Sequence, residues 1–386
     1  MSSIQNNHRI IPKAYHHKEN DEIKDRRCNV NEDELKQILL DENIKKMVLK
    51  NAESVACIFK KASAEVQEFS DRNCIRFKNV ENLKKELKEY FSVDHGANLK
   101  VDSNIRFLEE PSGGSSTAFF VGGKKNNVVC TAGHCVNGTK EALENIYFVF
   151  DYLLNGKNNF IFSEEGKYLE FPQANVYKFH KIIAKIYTDA PVFSNSPDWA
   201  LVKVKPFSET EHSANVIHGR EALKLKKDVK INVRAYTYML GHPKGLPMKV
   251  AHGGSFTQEN DQKFKLDIDG FSGNSGSPTF QNADIDVDGI FTGGPYDYSV
   301  GEQKIIHGNY FATWLFLEFL MHTEFGLLRM DNFRKVFSAQ KQAERGCKKK
   351  NASFGRDVKE TCRHHQKPIL NVFLCNFFVH SFLLLK

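Results

Sequence analysis

The sequence predicts an all-β core, with an α-helical N-terminal extension before it and a helical, then apolar, tail after it. Three observations carry this. From about residue 101, short apolar or alternating runs are split by Gly, Pro, Asn and Ser, as in domains built of many short strands. Between residues 31 and 100, apolar residues recur instead at spacings of three, four and seven, the helical period. After Ile305, helical spacing returns through Phe311, Leu315, Phe319 and Leu320. No internal repeat and no strand–helix alternation is present, which argues against a parallel α/β sheet.

Residues 1–30 are polar, with His, Lys and Asn clusters, and are expected to form a mobile lead-in. Residues 31–104 are expected to be a helical segment. Within it Ile44, Met47, Val48, Val55, Ile58, Phe59, Ala62, Val66 and Phe69 form one apolar stripe. Val80, Leu83, Leu87 and Phe91 form a second, shorter one, and charged residues fill the opposite faces. Strands are expected at 118–121, 128–130, 146–150, 199–204, 229–233 and 264–268. Residues 326–386 are charged and contain cysteine, and end in the apolar run PILNVFLCNFFVHSFLLL at 368–385. That run is near the lower length limit for a membrane span and carries Asn371, Asn376 and His380. A membrane-associated tail and a tail docked on the protein are both open.

A chain of 386 residues suggests two or three folding units. Its 41% hydrophobic and 26% charged residues supply a packed core and argue against bulk disorder. With 31 Phe and only 2 Trp, much of that core is expected to be phenylalanine. The formal charge of +7 comes from scattered basic residues, so no nucleic-acid partner is expected. The first residues have no apolar signal-peptide core. The eight cysteines are scattered and include no Cys-x-x-Cys pair, so neither a structural zinc nor a disulfide framework is expected. Free thiols in an intracellular, cytoplasmic setting fit this pattern.

Three clusters in the β region carry chemistry. Val128-Val-Cys-Thr-Ala-Gly-His134-Cys135 is a strand running into a turn that presents a histidine. Ser196-Pro-Asp198 sets an aspartate directly before an apolar strand, and Phe271-Ser-Gly273-Asn-Ser275-Gly-Ser-Pro278 holds a serine in a glycine-rich loop. A serine hydroxyl needs a neutral imidazole to take its proton during attack, and the imidazole needs a carboxylate to orient it. Small residues around the serine let backbone N–H groups converge on a developing oxyanion, with Gly273 and Ser275 as the two donors. Each cluster alone is ordinary turn chemistry. Together, in the order His, Asp, Ser at separations of 64 and 77 positions, they point to a catalytic triad.

Thr131-Ala-Gly-His134-Cys135, Asp198-Trp-Ala-Leu-Val and Gly273-Asn-Ser275-Gly-Ser-Pro278 resemble the signatures of trypsin/chymotrypsin-like serine peptidases. The last has the form found in glutamyl endopeptidases and related bacterial-type enzymes. Leu240-Gly-His-Pro-Lys-Gly-Leu-Pro247 and Val287-Asp-Gly-Ile-Phe-Thr-Gly-Gly294 look like two further stretches of the second barrel. The resemblance covers about residues 105–325 and implies two packed six-stranded antiparallel β-barrels, about 105–210 and 228–310. It implies a serine endopeptidase acting through an acyl-enzyme on a polypeptide substrate, with no cofactor and no metal. His134 and Asp198 would come from the first barrel and Ser275 from the second. Substrate backbone would pair with Thr292, Gly293 and Gly294.

The sequence also departs from that pattern. Asn274 stands where digestive relatives carry the aspartate that receives a new N-terminus, so that activation route is not expected. Phe119 and Phe271 stand where disulfide-bonded relatives carry cysteines. Cys130 is expected to be a buried strand thiol. Specificity stays open. Asp269, six residues before Ser275, matches the trypsin aspartate that selects Lys and Arg, and Phe291 replaces the histidine of glutamyl endopeptidases. A peptidase-like binding or scaffold protein with little turnover is the alternative, and N-terminal helices covering the cleft are a third possibility.

Overall fold

A computed structural model describes residues 25–316, except 39–41, 61–65, 70–72, 96–98, 123–126, 155–158, 188–196, 208–216, 218, 227–235, 254–255, 259–262, 267, 282–285, 294–297, 302–303 and 308–311. The expected strand at 229–233, Gly294, and the tail from 326 onward with its apolar run lie outside the described residues. Among the described residues no helix is long and apolar enough to cross a membrane.

The structure is mostly β. Six strands close a barrel, in the order Ile146–Phe150, Val176–Ile186, Trp199–Pro206, Val128–Thr131, Ser116–Phe120 and Val55–Lys60. All its pairings are antiparallel. A second sheet has eight strands, ordered Arg27–Asn29, Lys249–Gly253, Thr237–Gly241, Pro278–Gln281, Gly289–Gly293, Ala312–Phe316, Lys263–Leu266 and Phe256–Gln258. Where a second six-stranded barrel was expected, the described residues form this eight-stranded sheet, whose two edge strands do not pair with each other.

The helical extension needs correction. Helices do form at Glu32–Ile38, Glu42–Ala52 and Leu83–His95. The long stripe, however, breaks after Ala52: Val55–Lys60 is a barrel strand, and Val66–Phe69 is a strand of a four-stranded sheet. The barrel therefore draws its first strand from upstream of residue 105. The physical reason is burial on both faces. Ala56 and Ile58 point into one core with Ala118, Phe120, Phe148 and Val202. Cys57 and Phe59 point into another with Phe77, Val149, Leu169 and Phe171. A strand buried on both sides reads as a continuous apolar run, without the alternation that marks a half-exposed one. The aromatic expectation holds in this second core, with Phe59 packed against Phe77, Tyr152 and Phe171 at centroid distances of 4.6, 5.7 and 5.8 Å. After Ile305, where helical spacing was expected, Leu315 lies in the strand Ala312–Phe316, while Phe311, Phe319 and Leu320 lie outside the described residues.

Candidate active site

Barrel register brings His134 and Asp198 together. Ala200 of the Trp199–Pro206 strand pairs with Thr131 of the Val128–Thr131 strand. In an antiparallel pair, two residues before Ala200 lie opposite two residues after Thr131, so Asp198 meets Gly133 and the His134 turn. A 3-10 turn at Gly133–Val136 then presents the imidazole. Only glycine fits at Gly133. A Cβ on it would lie 2.7 Å from the Ile186 carbonyl oxygen and 3.0 Å from Asp198 Oδ1.

Both carboxylate oxygens of Asp198 hold the histidine. Oδ1 accepts from the His134 backbone N–H at 2.9 Å, and Oδ2 lies 2.6 Å from Nδ1. This fixes the proton on Nδ1 and leaves Nε2 as the basic nitrogen. Burial alone would lower the His134 pKa, but the charges and hydrogen bonds of Cys135 and Asp198 outweigh it and raise it from 6.5 to about 10. Cys135 is buried beside it; burial pushes its thiol up, and His134 together with hydrogen bonds from Ser116 and Thr131 more than offsets this.

Ser275 lies in the loop entering the Pro278–Gln281 strand of the eight-stranded sheet. Thr117 of the barrel pins that loop in place. Its backbone N–H donates to the Ser275 carbonyl at 2.9 Å, and its hydroxyl donates to the Gly273 carbonyl at 2.8 Å. The same hydroxyl accepts from the His242 N–H at 3.0 Å. Cys135 Sγ also lies 3.6 Å from the Ser275 carbonyl, so the residue after His134 touches the serine loop. Ser275 Oγ itself makes no hydrogen bond to His134 among the described residues.

The loop's peptide planes have a defined orientation. The Ser272 carbonyl accepts from Lys244 N–H at 2.5 Å, and the Asn274 carbonyl accepts from Ser277 N–H at 2.8 Å. Among the described residues all peptide bonds are trans, so the N–H of each following residue points away from its anchored carbonyl. Those two N–H groups belong to Gly273 and Ser275. Among the described residues, neither donates to a backbone acceptor. Gly273 sits at φ 94°, a conformation that suits glycine.

Thr292 is buried and Gly293 half-buried in the Gly289–Gly293 strand. Phe291 bonds the serine loop twice, donating to Ser277 O at 2.9 Å and accepting from Gly276 N–H at 2.7 Å. Asp269 does not face open space. It is 2% exposed and ion-paired with Arg26, whose Nη2 lies 2.9 Å from Oδ1. Sequence reasoning missed Arg26 and Thr117. A polar Ser116-Thr117 pair opening an apolar strand is a faint signal for the second; Arg26 leaves none.

No family model and no curated protein matches this chain. Among solved structures it is similar to Rv3671c from M. tuberculosis, a serine mutant in its inactive form. Identity is 13% and the TM-score 0.34, over 72% of this chain and 87% of that one. A second structure, of the Rv3671c protease in its inactive form, gives 12% and 0.35 over 70% and 87%.

Proposed function

We propose that this protein is a serine endopeptidase in which Ser275 attacks a peptide carbonyl, His134 takes the serine proton and Asp198 holds the imidazole. The observation that carries the reading is the two-point clamp of Asp198 on His134, beside a serine loop tied to the same barrel through Thr117. Attack forms the Ser275 Oγ–carbon bond and moves the hydroxyl proton to Nε2. Collapse of the tetrahedral species then passes that proton to the leaving amine, and water hydrolyses the ester by the same route in reverse. The N–H groups of Gly273 and Ser275 form the oxyanion hole, supported by the anchored Ser272 and Asn274 carbonyls on the opposite edges of their peptides. The substrate is a polypeptide whose backbone pairs with Thr292, Gly293 and Gly294. Within the trypsin-like enzymes, Gly-Asn-Ser-Gly-Ser-Pro favours the glutamyl-endopeptidase-like branch, with the eight-stranded sheet in the place of its second barrel. Free thiols at Cys28, Cys57, Cys74, Cys130 and Cys135 support work in a reducing, intracellular compartment.

The scaffold alternative draws on one observation, the lack of a Ser275–His134 hydrogen bond. In resting enzymes such bonds are often long and tighten only with substrate. A fluorophosphonate probe separates the two readings, since it reacts with an activated serine and not with an inert one.

A further inference from the structure

Asp269 stands six residues before Ser275, on the wall formed by the serine loop and the Gly289–Gly293 strand. The wall is close-packed: a Cβ on Gly270 would lie 2.4 Å from the Phe291 ring. Asp269 is met there by residues some 240 positions away. The Arg26 backbone N–H donates to Oδ2, Nη2 donates to Oδ1 at 2.9 Å, and Nε donates to Oδ1 at 3.3 Å.

Arg26 is held by its neighbours rather than by this contact alone. The Arg27–Asn29 strand pairs antiparallel with Lys249–Gly253, with Arg27 opposite Ala251. Arg27 is buried, ion-pairs with Asp25 at 2.7 Å and lies 3.6 Å over the Phe271 ring. The segment thus grips the serine loop at two points, Asp269 and Phe271.

We propose that Arg26 is a specificity-determining residue: a built-in counter-ion that engages both oxygens of Asp269 and bars a substrate Lys or Arg side chain from that acid. This rests on the serine-peptidase reading of Ser275. A basic substrate side chain would need to displace three donors, one of them the backbone N–H next to a sheet strand. The peptidase therefore does not prefer basic residues, although the aspartate that would select them is present. Removing the Arg26 side chain converts the site to one that accepts a cation.

p-Aminobenzamidine, a fluorescent mimic of the arginine head group, tests this by direct binding without turnover. Titrations run at pH 8, because burial raises the Asp269 pKa and loss of Arg26 removes opposing contributions. Wild type is expected to bind at least 10-fold more weakly than Arg26→Ala, and adding Asp269→Asn to that variant is expected to abolish the gain. Arg26→Gln keeps part of the side-chain packing and is measured beside it, with melting curves for all proteins. Tight binding by wild type overturns the proposal without any variant. So does a folded Arg26→Ala or Arg26→Gln that binds no better than wild type. Fluorophosphonate labelling of Ser275 in the same preparations reports separately on the peptidase reading.

Discussion

The Thr117 hydroxyl donates to the Gly273 carbonyl at 2.8 Å, a bond between a barrel strand and the serine loop 156 positions away. With the Thr117 N–H on the Ser275 carbonyl, it fixes the Gly273–Asn274 and Ser275–Gly276 peptides, on either side of the peptide that carries the Ser275 N–H. Thr117→Val keeps the shape and removes the hydroxyl. It strands the buried Gly273 carbonyl and His242 N–H, at a cost of about 1–3 kcal/mol in stability. Thermal melts are expected to fall accordingly, and kcat to fall with KM little changed, because the loop's geometry matters most in the transition state.

The pH profile follows from the raised His134 pKa. A general base must be neutral, so kcat/KM is expected to climb through alkaline pH, with a midpoint well above 6.5. Cys135→Ala removes one upward contribution and is expected to move the midpoint down. Asp198→Asn moves it down as well and also loses orientation, with a fall in kcat of about 10⁴ by analogy with the trypsin aspartate. Rate profiles between pH 6 and 10 check both signs, and an unmoved midpoint in Cys135→Ala would rule out the Cys135 contribution.

Gly276 lies at φ 90°, and a Cβ on it would sit 2.1 Å from the Thr117 carbonyl oxygen. Gly276→Ala therefore combines a strained backbone with a clash against backbone that cannot swing away. A loss of about 1–3 kcal/mol is expected from the conformation alone. Denaturant unfolding measures it, and Gly138→Ala, where the nearest atom is 3.4 Å away, is the control.

Much of the candidate site was legible because its signals are local. A histidine after a strand, an aspartate before one and a serine between glycines each announce themselves in under ten residues. The order of the three then carries the chemistry. What stayed hidden depends on partners far away in sequence. Arg26 meets Asp269 across 243 positions, and no local pattern marks either residue for the other. The barrel strand Val55–Lys60 was hidden for a different reason. Its two buried faces erase alternation, and its apolar residues continue the spacing of the helix before it.

That strand makes a prediction about truncation. Phe59→Ala should cost about 3–5 kcal/mol, as for other buried aromatics. Deleting residues 1–100 removes a strand that closes the barrel between Ser116–Phe120 and Ile146–Phe150, so the product is expected not to fold. Soluble, cooperatively melting protein from that deletion would contradict the topology.

Labelling with a fluorophosphonate probe, read by peptide mass spectrometry, puts the triad to the test with the fewest intervening steps. One adduct is expected, on Ser275, lost in Ser275→Ala and in His134→Ala while both variants keep the wild-type melting transition. Folded wild-type protein that takes up no probe between pH 7 and 10, or labels elsewhere with Ser275 untouched, would overturn the serine-peptidase reading.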